Sequence, residues 1–110
     1  MDPHVRQLIL HMAANYRRTI SLPQMAALVN LSTSRVTHLF TRDTGIGPVA
    51  FLRSLRMRKA SRLLRETSLS IKEIMHLSGF NDASHFVRDF EQRFGLTPSE
   101  YRSRHRLDPA

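Results

Sequence analysis

The chain of 110 residues has no cysteine and no tryptophan, four glycines and five prolines. Without cysteine there can be no disulfide, no thiolate metal site and no cysteine nucleophile. No apolar run approaches the roughly 20 residues that cross a bilayer, and no secretory leader is visible, so a cytoplasmic protein is expected. Aromatics are sparse at 7%, with two Tyr and phenylalanines at core spacing, which argues against a stacking platform for single-stranded RNA or DNA. No paired carboxylates, nucleophile elbow or glycine-rich phosphate cradle can be found, so no enzyme is expected. Six histidines are present, but His4 and His11 share a face with no third ligand, and His38, His76 and His85 fall on separate segments. Neither a metal nor any other cofactor is expected.

Acids are also few: nine against seventeen cations, for a net charge of +8 and a pI near 11.4. Fifteen of the cations are Arg, with only Lys59 and Lys72 besides. The guanidinium fork suits phosphate oxygens and guanine edges, so the bias points to a nucleic acid. Residues 1–55 carry six Arg against Asp2 and Asp43, and residues 56–110 carry eleven cations against seven acids, giving +4 in each half. A basic tail on a neutral domain is therefore excluded. With 41% hydrophobic and 24% charged residues the composition is that of a globular chain.

The chain also repeats itself. SLPQMAALVNL aligns with SIKEIMHLSGF, and SRVTHLFTRDTGIGPVAF with SHFVRDFEQRFGLTPSEY. Ser21 falls on Ser70, Leu28 on Leu77, Ser34 on Ser84, Phe40 on Phe90, Gly45 on Gly95, Pro48 on Pro98 and Phe51 on Tyr101. The offset is 49 before the turn and 50 after it, so one residue is gained between the helices.

Seven helices are expected and no strand. Val5, Leu8, Ile9, Met12, Ala13 and Tyr16 form one apolar helical face, in a helix from Asp2-Pro3 to Arg17-Arg18. Ser21 with Gln24, Ser70 with Glu73, and Thr97 with Glu100 are capping boxes. Ser32 and Asp82 cap the third and sixth helices, which Gly45 and Gly95 stop. Asn30-Leu31 and Gly79 make the turns. The seventh helix is expected through Tyr101, and Ser103 to Ala110 as a frayed tail. The fold is thus all-α: one helix-turn-helix at about 21–45, a linker helix at about 49–65 and a second helix-turn-helix at about 70–95. Leu22, Met25, Ala26, Leu31, Val36, Leu39 and Phe40 are the first expected core; Ile71, Ile74, Leu77, Phe80, Phe86 and Phe90 are the second. Leu52, Leu55, Ala60, Leu63 and Leu64 of the linker pack against both.

In such units the second helix enters the major groove and reads bases from its N-terminal turns. Ser34, Thr37 and His38 share a side at i, i+3, i+4 spacing, as do Ser84, Val87 and Arg88. Arg88 is the strongest candidate base contact, since Arg takes guanine O6 and N7 together, and Val87 suits a thymine methyl. Two such helices meet successive groove faces when about 34 Å apart. A linker of roughly 25 Å plus the width of each unit fits that separation.

These residues resemble the AraC/XylS-type transcription regulators. RKASRLLRETSLSIKEIMHLSGFNDASHFVRDFEQRFGLTPSEYR is similar to the family signature, through its SGF turn, the F-x-R-x-F of the sixth helix and the final G-x-T-P-x-x-Y-R. ISLPQMAALVNLSTSRVTHLFTRDTG resembles the family's first helix-turn-helix, and the resemblance spans residues 4–104. It implies base contacts at Ser34, Thr37 and His38 with Arg35 flanking, and at Ser84, His85 and Arg88. Backbone contacts are implied near Ser32, Thr33, Arg53, Arg56 and the amides beside Asp82. It also implies asymmetric double-stranded DNA sites, activation through RNA polymerase, a bacterial nucleoid-associated protein, and an isolated domain that is monomeric. Met75 departs from the pattern, which has a small Ala there, and leaves the tilt of the sixth helix open. Two builds remain: the C-terminal DNA-binding domain of a larger ligand-responsive regulator, which the family's usual plan favours, or a stand-alone regulator controlled by abundance. A non-specific nucleic-acid-binding module is the remaining alternative.

Overall fold

The computed structural model describes residues 1–105. Among them are seven helices and no strand: α1 (Pro3–Asn15), α2 (Leu22–Leu28), α3 (Thr33–Thr44), α4 (Pro48–Glu66), α5 (Ile71–Leu77), α6 (Ala83–Phe94) and α7 (Pro98–His105). The chain divides into two compact units, Met1–Leu55 and Arg56–Ala110, with the boundary inside α4.

Each unit has its own core. In unit 1, Val5, Leu8 and Met12 of α1 join Met25 and Ala26 of α2, Val36, Leu39 and Phe40 of α3, and Leu52 of α4. In unit 2, Met57, Ala60 and Leu64 of α4 join Ile74 and Met75 of α5 and Phe86 and Phe90 of α6. Leu22, Leu31, Ile71 and Phe80 are half-buried against these cores rather than inside them. Leu77 is half-buried.

The two cores show a repeat longer than the helix-turn-helix. Val5, Leu8 and Met12 recur as Met57, Ala60 and Leu64, at the same i, i+3, i+7 spacing and fully buried in each unit. After α3 and again after α6 a further helix opens on a buried proline: Pro48 begins α4 and Pro98 begins α7. Proline suits that first turn, where its missing N–H would have had no partner. Phe40 meets Phe51 edge-on with ring centroids 5.2 Å apart, and Phe90 meets Tyr101 the same way at 5.3 Å. Such aromatic pairs add about 0.5–1.5 kcal/mol beyond their buried area. Each unit is therefore a four-helix repeat, and α4 supplies the last helix of one and the first of the next.

The helix ends follow local chemistry. Ser21 Oγ accepts the Gln24 N–H at 3.3 Å while Gln24 Oε1 accepts the Ser21 N–H at 2.8 Å. Ser70 with Glu73, and Thr97 with Glu100, close the same reciprocal boxes. α1 stops at Asn15, short of Arg17-Arg18, because Asn15 turns its amide back onto the His11 carbonyl at 2.9 Å and its own carbonyl accepts from the Arg18 N–H. The expected fraying from Ser103 is corrected: α7 runs on to His105, whose ring lies 4.4 Å from that of Tyr101. Arg102, Arg104 and His105 place cations at the negative end of that helix. Residues 106–110 of the expected tail lie outside the described residues.

Candidate nucleic-acid interface

Both turns are built on one hydrogen-bond plan. After α2 the Leu31 N–H donates to the Ala26 carbonyl at 3.1 Å and the Asn30 N–H to that of Ala27 at 3.3 Å. After α5 the Phe80 N–H donates to Met75 at 3.0 Å and the Gly79 N–H to His76 at 3.1 Å. This pairing closes a helix when one residue takes a left-handed conformation. Here those residues are Asn30, at φ 54°, and Gly79, at φ 93°. Leu31 and Phe80 then drop onto their cores. The second helix of the motif is capped directly after Leu31 by Ser32, but one residue later in unit 2, where Asn81 stands between Phe80 and the capping Asp82. Asn81 is thus the residue gained in the repeat.

Met75 leaves this plan undisturbed. It occupies the place of Ala26, each only 5% exposed, and its carbonyl still receives the Phe80 N–H. The flexible thioether side chain fills core space that a methyl leaves to neighbours.

On α3, Val36, Leu39 and Phe40 face inward, which leaves Thr33, Ser34, Arg35, Thr37 and His38 exposed. The Thr37 hydroxyl donates to the Thr33 carbonyl at 2.9 Å, so its oxygen lone pairs point outward as acceptors. Ser32 Oγ accepts the Arg35 N–H at 3.1 Å and keeps its own O–H to give. Thr41 is exposed on the same side, seven residues after Ser34. The reading of the sequence missed it, although the helical period that selected Ser34, Thr37 and His38 reaches it.

On α6, Phe86 and Phe90 face inward, while Ser84, His85 and Arg88 are exposed. Val87 is half-buried against the core of unit 2 and offers only part of its surface, unlike Thr37 at the matching place. Asp82 Oδ1 accepts the His85 N–H at 2.9 Å. That bond, with the fields of His85 and Arg88, holds the carboxyl below the usual Asp range. Of the amides beside Asp82, that of His85 is taken by the Asp82 side chain. An ionised carboxylate also has no proton to donate.

Of the two α4 arginines expected to meet phosphate, Arg53 is exposed in unit 1 and Arg56 half-buried in unit 2. Arg102, from the terminal Y-R of the signature, turns inward. Its Nε reaches the Leu64 carbonyl at 3.3 Å and its other guanidinium nitrogen that of Thr67 at 3.4 Å, placing a cation at the C-terminal end of α4. Nothing in the sequence alone marks that role, because the contact spans 38 residues.

The histidines have separate surroundings. His4 Nδ1 lies 2.9 Å from Asp2 Oδ1, and His11 Nδ1 lies 3.4 Å from the Asn15 amide. Among the described residues no three His, Cys, Asp or Glu cluster to hold a metal, and no helix is long and apolar enough to cross a membrane. A hollow of about 510 Å³ in unit 1 is lined by His11, Asn15, Arg18 and Gln24 over Ile20, Ala27 and Leu28. It is lined by no carboxylate and by no residue of α3.

Comparison with known proteins agrees with this geometry. Residues 25–104 match the model of a helix-turn-helix domain family. The chain is 31% identical over 101 residues to the HTH-type transcriptional regulator GbdR of Pseudomonas aeruginosa, covering 92% of this chain and 28% of that one. It thus spans less than a third of that relative's length. A solved transcriptional regulator with an AraC-type DNA-binding domain, from Chromobacterium violaceum, is 30% identical with a TM-score of 0.87, covering 98% of this chain and 96% of that one. The DNA-binding domain of AdpA, solved in complex with a target DNA, shares the fold at a TM-score of 0.88 and 23% identity, over 94% and 93% of the chains. The chain belongs to the AraC/XylS family: it is a DNA-binding transcription-regulator domain of two helix-turn-helix units, and not an enzyme.

Proposed function

We propose that the two units read one asymmetric double-stranded DNA site, with α3 and α6 in successive major-groove faces. The observation that carries this reading is the repeated reading helix. Each has its inward face locked by an aromatic core and its outward N-terminal turns lined by short polar, His and Arg side chains. Ser34, Arg35, Thr37 and His38 are the base-reading set of unit 1, and Ser84, His85, Arg88 and the open part of Val87 that of unit 2. Ser32, Thr33, Arg53 and Arg56 serve the phosphates. The arginine-rich +8 charge supplies the sequence-independent attraction.

The chain acts as the DNA-binding part of a larger ligand-responsive regulator and activates transcription through RNA polymerase. The share of GbdR that it spans supports the first statement, and the family resemblance the second. Selection of sites from a random duplex library at near-physiological salt tests the core of this reading. Two preferred blocks about one helical turn apart are expected. A single block, or salt-sensitive binding without preference, refutes paired reading. Activation is checked separately, by a reporter carrying the selected site upstream of a weak promoter.

A further inference from the structure

Unit 1 has an open corner where the repeat in unit 2 carries larger side chains. The hollow of about 510 Å³ beside α1 and α2 has an apolar floor of Ile20, Ala27 and Leu28. Leu28 is 43% exposed, whereas Leu77 at the matching place is half-buried. The other matches run the same way. His76 stands for Ala27 and Leu69 for Ile20, while Leu63, at the offset of 52 that relates α1 to α4, stands for His11. Leu63 and Leu69 pack against the core of unit 2. The fold therefore does not require the hollow, which the small Ala27 and the polar His11 leave open.

The rim offers donors and positive charge. Arg18 brings a permanent cation whose fork suits a carboxylate. Gln24 takes the place of Glu73, and its capping box uses only Oε1, which accepts the Ser21 N–H at 2.8 Å. The amide nitrogen keeps its protons to donate. Either residue closes such a box, so glutamine serves α2 equally and spares the hollow a carboxylate. Asn15 donates its amide to the His11 carbonyl at 2.9 Å, which sets the same nitrogen 3.4 Å from His11 Nδ1. That nitrogen has only protons to offer, so Nδ1 accepts and the neutral ring carries its proton on Nε2. Water can satisfy these donors, but it gains nothing from the floor.

We propose that this hollow binds a small monocarboxylic acid with an apolar body, its carboxylate at Arg18 and the Gln24 amide and its body over Ile20, Ala27 and Leu28. An apolar floor with a few convergent polar groups is the usual build of a small-molecule site. Inorganic phosphate would leave the floor wet, and an amine would meet the Arg18 charge. The DNA-binding part of the regulator thus has a ligand site of its own, within unit 1, whatever the manner in which α3 and α6 meet DNA.

The test uses phenylacetate, phenethyl alcohol and phenethylammonium, which share one apolar body and differ in charge. Each would be titrated into the 110-residue chain at low salt and about pH 8, where an ordinary imidazole is neutral. The methyl NMR signals of Ile20, Ala27 and Leu28 report the floor directly. Saturable shifts with phenylacetate are expected, at a Kd of the order of 1 mM for roughly ten non-hydrogen atoms. The alcohol should bind at least about three-fold more weakly, and the amine more weakly still. Gln24→Glu keeps the capping box and should lower phenylacetate affinity about three-fold, the factor for two unit charges about 6 Å apart in water. Its effect on the alcohol should be nil. Ala27→His, the residue of unit 2 on an exposed side of α2, should abolish the saturable shifts of Ile20 and Leu28. Should either variant unfold, the three probes on the unaltered chain still decide. Shifts that do not saturate, equal affinity for acid and alcohol, or binding that a folded Ala27→His leaves unaltered overturns the proposal. Shifts of these methyls by a scrambled duplex and not by the acid overturn it too, and make the rim a DNA-backbone contact.

Discussion

Ser78 closes α5 and is fully buried, yet its hydroxyl has no hydrogen-bond partner among the described residues. Its backbone is satisfied independently, since its N–H donates to the Ile74 carbonyl at 2.9 Å. The matching place in unit 1 holds Val29, 6% exposed, so this corner of the turn accepts an apolar side chain. Ser78→Ala removes one buried hydroxyl and nothing the backbone needs. An unpaired buried polar group costs about 1–3 kcal/mol. Against this stands the void left by one oxygen, about 0.2–0.4 kcal/mol at the usual cost per unit of cavity volume. The net expectation is a gain of about 1 kcal/mol, or a rise of about 4–8 °C in Tm for a domain of this size. Urea denaturation followed by circular dichroism would show a higher midpoint at an unchanged slope. DNA affinity should not move, because the turn's backbone bonds are unaltered. A loss of 1 kcal/mol or more would mean that the hydroxyl is paired in solution, and that the turn of unit 2 is held by a bond its counterpart lacks.

Other expectations concern binding and stability. Arg88→Ala should cost about 1–3 kcal/mol on the selected site and relax one base position, as read by competition with single-base variants; uniform weakening would make Arg88 a phosphate clamp. Arg53→Ala should weaken all duplexes alike and lower the salt slope by about 1, so an altered base preference would refute its backbone role. Arg102→Ala should lower stability by about 0.5–2 kcal/mol, because the carbonyls of Leu64 and Thr67 lose their cationic donor. Arg102→Lys should recover only part of this, as an ammonium cannot span both oxygens as a fork does; full recovery would show that charge alone matters. The carboxyls of Asp2, Asp43, Glu73, Asp82 and Glu100 all titrate below their ordinary values. The causes are amide donors at His4, Ser70, His85 and Thr97, and for Asp43 the Arg42 guanidinium. Depressed folded pKa values mean that this stabilisation is complete above the unfolded values and lost as the pH falls through the folded ones. Thermal melting should therefore be level above about pH 5 and decline below about pH 4; a constant Tm down to pH 3 would contradict these caps.

The sequence made the helix ends legible because capping boxes, cap residues and left-handed turn positions act within four or five residues of one another. Ser21, Ser70, Thr97, Gly79 and Gly45 could be read without knowing any long-range contact. It showed the two sides of α3 and α6 for the same reason, since the helical period assigns Val36 and Phe86 inward and Ser34 and Ser84 outward. The full length of the repeat was not legible. Val5, Leu8 and Met12 share only apolar character with Met57, Ala60 and Leu64, and their offset of 52 differs from the 49 of the helices that follow. Arg102 escaped because an arginine facing solvent and one facing the end of another helix look alike in sequence.

α4 is a joint that belongs to both neighbours: its early residues finish one unit and its later ones start the next. The chain needs no connector between units, and the architecture has a natural direction of growth. α7 finishes unit 2 as the opening turns of α4 finish unit 1. Continued for about three further turns, with apolar side chains at the spacing of Met57, Ala60 and Leu64, it would become the first helix of a third unit. Duplicated in this way, two helix-turn-helix units become three by lengthening a helix.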